Sequence, residues 1–217
     1  MKQVIQSQVS TERARGRPLD GGQHDLKIEI LDTAEQLFTD HGYAATSIRQ
    51  IAEIVGVNPA LVHYYFSSKH ALLEIVMERA LQPLIEALAS LKDRPQASVQ
   101  DIACLLVSTA VEQPNIPLLL TREVLLPGGE MQDYFAENLA PRLGGALPAL
   151  LKREKAANRL KDGFDPSYSS LLVLAVSFFP FIARSLAEPV LGIKFDKQGT
   201  DILTKHVATL LEQGMTS

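Results

Sequence analysis

Apolar residues recur at spacings of three and four from Leu26 to Leu211, and no stretch alternates apolar and polar between turn signals. The pattern predicts an all-α chain. A first helix is expected over Leu26–His41, with Ile30, Ala34, Leu37 and Phe38 on one face and Gly42 as its stop. Thr46 is placed to cap a second helix carrying Ile48, Ile51, Ala52 and Val55, which Gly56 ends. Asn58 caps a short third helix, Pro59–Phe66, with proline at the first position, where a missing N–H is harmless. Ser67 or Ser68 opens a fourth that runs to about Leu91, with a kink or break expected at Pro83. Further helices fit Ser98–Glu112, Ile116–Leu126, Met131–Asn158, Pro166–Leu186 and Lys197–Gln213, separated by Pro and Gly breakers. The expected organisation is a flexible tail over 1–24, a three-helix helix-turn-helix domain over 25–70, and a larger helical bundle over 71–217.

Composition narrows this picture. With 46% hydrophobic and 21% charged residues, the 217-residue chain has an ordinary globular balance and enough length for a sizeable core. Its formal net charge is −4, so any affinity for nucleic acid must come from local positive charge. The single cysteine, Cys104, forms no internal disulfide and reads as a buried small hydrophobe, which suits a cytoplasmic protein. The apolar run Leu171–Ala183 is too short to span a bilayer and is expected to be a helix buried on most sides. Neither a secretory signal nor a membrane partner is expected.

The segment Thr46–Phe66 reads as helix, glycine turn, short helix. In a helix-turn-helix the second helix enters the major groove, and its first residues meet base edges. Val62 and Phe66 share one face and can join Leu37, Ile51 and Val57 in a small core, while Pro59, Ala60, His63 and Tyr64 face the other way. Ala60 permits close approach. His63 and Tyr64 carry hydrogen-bonding tips on rings that can touch thymine methyls, and Tyr65 lies between the faces. Thr46 and Ser47 sit at a helix N-terminus, which favours phosphate; Arg49 lies one turn in, and Lys69 opens the fourth helix as a point charge. An aromatic core cluster at Tyr64-Tyr65-Phe66 and a surface histidine fit the pattern almost as well.

At Ile30–Leu73 the chain resembles the DNA-binding domain of the TetR family. The resemblance is carried by Ala34, Leu37-Phe38, His41-Gly42-Tyr43, Thr46-Ser47-Ile48, Ile51-Ala52, Gly56-Val57, Tyr65-Phe66, Ser68-Lys69 and Leu72-Leu73. It implies a three-helix DNA-binding domain followed by a helical domain for dimerisation and ligand binding. By position it implies DNA contacts from Thr46, Ser47, Arg49, Pro59, Ala60, Leu61, His63, Tyr64 and Lys69. Leu61 stands where the family often has a small polar residue and His63 where it usually has tyrosine, which puts the base preference in doubt. The tail adds Arg13, Arg15 and Arg17; the core Arg15-Gly16-Arg17-Pro18 resembles an AT-hook, and such an arm suits a narrow minor groove.

Beyond Leu91 the sequence has no zinc spacing, phosphate loop or nucleophile elbow, so neither an enzyme nor a metal or cofactor is expected. Two helical faces suit association as a four-helix bundle of two chains: Leu171, Leu174, Phe178 and Ile182, and Ile202, Leu203, His206 and Leu210. The resemblance also implies a pocket for an apolar small-molecule effector; Arg122 and Glu123 suit its polar groups and Phe178, Phe179 and Phe181 its walls, while a structural ion pair and ordinary core aromatics fit these residues at least as well. The expected function is therefore a homodimeric, ligand-responsive repressor on double-stranded, palindromic operator DNA. A helical interaction module without a DNA role is the alternative, and a small-molecule carrier or enzyme a weaker third.

Overall fold

Local capping chemistry sets the first four helices. The computed structural model describes residues 20–92, 94 and 97–216; Arg13, Arg15 and Arg17, with the rest of the expected arm, lie outside the described residues. Helix α1 (Asp20–His41) begins before the tail boundary expected at residue 24. Helix α2 (Ile48–Val55) is capped by Ser47 rather than Thr46: Ser47 Oγ accepts from Gln50 N, and Gln50 Oε1 accepts from Ser47 N. Gly56 closes α2 at φ +76°, a conformation in which a side chain would be strained. Asn58 Oδ1 accepts from Ala60 N to start α3 (Pro59–Phe66). Ser68 Oγ accepts from Ala71 N at the head of α4 (Lys69–Lys92), which continues through Pro83 without the break expected at the proline.

Helix α5 (Val99–Glu112) starts at a second capping box, Ser98 with Asp101. It turns by 94° into α6 (Asn115–Leu120), which widens into a π-helical turn over Thr121–Leu125. The single helix expected over Met131–Asn158 is divided into α7 (Gln132–Tyr134), a π turn at Phe135–Leu139, α8 (Ala140–Gly144) and α9 (Ala146–Ala156). Pro141 has no N–H for the carbonyl four residues back, and the turn before it widens. Helix α10 (Pro166–Ile182) also ends earlier than expected, turning by 71° into α11 (Arg184–Leu191); α12 (Lys197–Met215) completes the chain.

Ile30, Phe38, Ile51, Val62, Phe66 and Leu73 form a closed core under α1–α4. In the larger bundle α5 packs against α4, α10 and α12, with Ile102 and Leu106 fully buried. Cys104 on α5 is half-buried rather than buried, and burial, with Asp101 nearby, pushes its thiol pKa up, so it stays protonated. The expected burial of Leu171–Ala183 on most sides is overturned: Val173, Ser177 and Phe181 face the core, whereas Leu171 and Phe179 are each 64% exposed. Among the described residues no single helix is long and apolar enough to cross a membrane.

Candidate nucleic-acid interface

The two faces of α3 separate as their residue types require. Val62 and Phe66 are buried, and Leu37, Val57 and Tyr65 pack against the same core. Ala60, His63 and Tyr64 are exposed on the other side, Tyr64 by 79%, with Pro59 and Leu61 half-buried beside them. The Tyr64 ring meets Tyr65 edge-on at 5.5 Å, and Tyr65 in turn tilts against Phe66 at 6.2 Å. The exposed phenol is thus braced by an aromatic ladder that ends in the core. His63 Nδ1 lies 3.3 Å from the Ser67 carbonyl. A carbonyl only accepts, so Nδ1 is the donor in that contact, and Nε2 remains for a base edge or phosphate in the groove.

Ser47, Arg49 and Gln50 at the start of α2 are exposed next to this face. The Ser47–Gln50 box uses the Ser47 and Gln50 amides, so Ile48 and Arg49 supply the amides without an intrahelical partner. Sequence reasoning misses Gln50, although glutamine three residues after a serine is a capping signal. It also misses Lys27, which lies 5.7 Å from the Phe66 ring at the edge of the domain; nothing in its spacing along α1 marks it.

Two residues assigned to DNA point inward instead. Thr46 is 3% exposed, and its hydroxyl lies 2.9 Å from the Gly42 carbonyl and 3.2 Å from that of Leu37, closing the α1–α2 turn. Lys69 Nζ donates to the carbonyls of Tyr43 (2.8 Å) and Thr46 (2.9 Å) and sits 3.8 Å from the centre of the Tyr43 ring. It staples α4 to the α1–α2 turn rather than projecting as a free charge. Burial, then Glu130 and Glu123, raise the pKa of the Tyr43 phenol, which therefore stays neutral under that ammonium.

The expected ligand pair is likewise reassigned. Arg122 Nη1 donates to the Thr39 carbonyl at 2.8 Å, and Glu123, 4% exposed, accepts from Tyr43 N at 2.8 Å. The π turn after α6 therefore grips the end of α1 and the turn that follows it. Gly42 makes the fit possible: it sits at φ +83°, and a Cβ there would meet Arg122 Cδ at 3.0 Å. Arg79 on α4 adds ion pairs of 2.7 Å to both Asp32 and Glu35 of α1, and Asn115 donates to Glu35 at 3.2 Å.

The same π turn faces a cavity. Leu120, Thr121 and Leu125 line an apolar space of about 530 Å³, together with Leu88, Leu106 and Phe178. Phe178 thus stands where a ligand wall is expected, whereas Phe181 turns away and packs edge-on against Phe195 at 5.6 Å. Leu171, Leu174 and Ile182, assigned to association, also line this space; so does Phe179, expected as a wall, although it is 64% exposed, and Tyr168 and Leu172 point outward. On α12, Ile202, His206 and Leu210 are exposed and Leu203 is half-buried. Cavity walls and core leucines share one hydropathy pattern, so only the fold distinguishes them.

Comparison with known proteins agrees with this geometry. The model of bacterial regulatory proteins of the tetR family matches residues 30–76. The HTH-type transcriptional regulator RutR of Escherichia coli is 27% identical over 180 residues, 79% of each chain. The HTH-type transcriptional repressor NicS of Pseudomonas putida is 22% identical over 193 residues, covering 86% of this chain and 90% of its own. A putative fatty acid metabolism regulator of Clostridium perfringens shares the fold with a TM-score of 0.71 at 17% identity, over 86% of this chain and 97% of its own. The matched helix-turn-helix, the relatives and the shared fold agree: residues 30–76 match the tetR family of bacterial regulatory proteins, and most of the chain is similar to HTH-type transcriptional regulators.

Proposed function

We propose that this helix-turn-helix transcription regulator is a dimeric repressor that leaves its operator when a small apolar molecule fills the cavity. Similarity to HTH-type regulators over most of the chain supports a DNA-binding protein rather than an enzyme. The observation that carries the operator reading is the exposed face of α3, Ala60, His63 and Tyr64, standing on a closed core with a braced phenol and an imidazole held beside the Ser67 carbonyl. Ser47, Arg49, Pro59 and Leu61 complete the contact surface, and its operator partner places its work in the cytoplasm.

Described positive charge on this surface is sparse, because Lys69 is held internally and Arg49 and Lys27 remain. Arg15 and Arg17 of the N-terminal arm supply the rest, through the minor groove. Deleting residues 1–19 is then expected to weaken operator binding and flatten its salt dependence, by about 0.9 in the log–log slope for each phosphate the arm neutralises. An unchanged slope contradicts the arm.

Dimerisation is supported by the apolar residues left in water on α10 and α12, Leu172, Phe179, Ile202 and Leu210, with His206 among them. Two copies joined there would present two α3 helices to successive turns of a palindromic site. The cavity and the DNA domain are coupled through α4, which supplies Leu84 and Leu88 to the cavity, and through the π turn. In that turn Leu120, Thr121 and Leu125 meet the cavity while Arg122 and Glu123 hold Thr39 and Tyr43. A ligand acts only through different affinities for the two arrangements of these elements. Locking the α4 angle with a disulfide is expected to abolish ligand release of DNA; an undiminished response contradicts the lever.

The test of the function is operator binding by the purified protein at increasing salt, with and without His63→Ala/Tyr64→Ala. Tight, salt-sensitive binding to one palindrome, lost in the variant, supports it. Salt-insensitive or variant-insensitive binding overturns it.

A further inference from the structure

We infer that the effector is a neutral, largely hydrocarbon molecule whose only admissible polar group inside the cavity is a hydrogen-bond donor; this rests on the cavity being the effector site. The walls come from leucine, isoleucine, phenylalanine, proline and alanine side chains, and among the described residues no charged side chain lines them. Two hydroxyls reach the surface of the cavity, and both have committed their proton. Thr121 Oγ1 donates to the Pro117 carbonyl at 2.7 Å, and Ser170 Oγ donates to the Pro166 carbonyl at 2.6 Å. Each belongs to its own helix, four residues on from its acceptor, so ligand entry does not release it. What remains on each oxygen is lone pairs.

The cavity therefore accepts a hydroxyl or N–H from its ligand and returns none. A carboxylate placed there would lose its water and gain no donor, and a quaternary ammonium would meet no counter-charge. The nearby π turn differs. Glu123 and Arg122 bear the charges of this region, and both are engaged with the α1–α2 turn, Glu123 with the Tyr43 amide and Arg122 with the Thr39 carbonyl. The volume of about 530 Å³ lies within the range that holds most of a small organic ligand, so a ten-carbon chain fits within it. Selectivity then comes from the exclusion of ions and from shape, without an ion pair to fix orientation.

Displacement of the neutral dye N-phenyl-1-naphthylamine from the full-length protein at pH 7.5 tests this, with 1-decanol, decanoate and decyltrimethylammonium as competitors below their micelle concentrations. The expected result is displacement by decanol at a concentration at least thirtyfold lower than either ion requires. Decanoate or the ammonium acting within threefold of decanol overturns the ligand class. Ala175→Trp, which puts a large side chain into the cavity, separates this from the underlying reading. With far-UV circular dichroism unchanged, loss of dye binding in that variant locates the probe in the cavity. Dye binding that survives the filled cavity, or wild-type protein that binds no dye, overturns the cavity as the effector site.

Discussion

The two halves of the molecule use apolar surface in opposite ways. The α1–α3 unit, with the start of α4, closes its core around Phe38, Ile51, Val62 and Leu73, and Tyr64 is left outside as an aromatic with a polar tip. In the larger bundle Leu171, Leu172 and Phe179 stand in water, the cavity lies within, and the buried hydroxyls of Ser169 and Ser177 have no hydrogen-bond partner among the described residues. A closed core with a polar-tipped face is complete as one chain and suits a hydrated groove. An exposed apolar stripe beside a void is a surface that the proposed second chain and ligand would cover.

The largest break of that comparison is at the apolar stripe. Ile202→Glu with Leu210→Glu is expected to give a helical monomer by sedimentation and to lower operator affinity at least a hundredfold, because one α3 helix cannot engage both half-sites. The equivalent exposed change in the DNA domain, Tyr64→Ala, should leave both the mass and the melting temperature unchanged. Next comes the junction between the halves. Glu123→Ala leaves the Tyr43 amide without its acceptor, at a cost of about 1–3 kcal/mol in denaturant unfolding. It should also weaken the coupling between ligand and DNA. Gly42→Ala acts at the same junction through φ +83° and the approach of Arg122, and should cost about 1–3 kcal/mol.

The smallest effect lies at the head of α5, where Ser98→Ala removes one cap, at about 1 kcal/mol. Its pH dependence has a definite sign. Hydrogen bonds from the Ser98 backbone and then its hydroxyl hold the Asp101 carboxyl below its ordinary value, and burial opposes them. The native state then binds fewer protons than the unfolded one, so this stabilisation is present above the ordinary aspartate range and is lost as pH falls through the lowered value. Asp101→Asn should remove that part of the acid dependence; an unchanged acid limb in a urea titration contradicts the assignment.

What is legible in the sequence follows the range of the interaction. Gly56, Asn58 and Pro59 announce the turn before α3 because a cap is a local event within four residues, and the period of Val62 and Phe66 fixes which face is buried. Lys69 misleads for the opposite reason: an ammonium near a helix start suits phosphate equally well, and only the fold shows that the Tyr43 and Thr46 carbonyls, 26 and 23 positions earlier, accept from it. Thr46 misleads although its Gly42 acceptor is four positions away, because a hydroxyl at a helix start suits phosphate as well as the turn behind it. Arg122 and Glu123 stand out as charges in an apolar stretch, yet their partners Thr39 and Tyr43 lie about eighty positions earlier. The leucines of α10 show the limit of periodicity: it marks an apolar face but does not distinguish cavity wall, core and subunit interface.

Selection from a randomised duplex library, with sequencing of the retained DNA, tests the central claim most directly, using wild-type protein and His63→Ala/Tyr64→Ala side by side. The account predicts a palindrome enriched by the wild type at low salt and absent with the variant, while both proteins unfold at the same temperature. The same palindrome retained by the variant, or no enriched site from folded wild-type protein, would contradict the assignment of the α3 face to operator DNA.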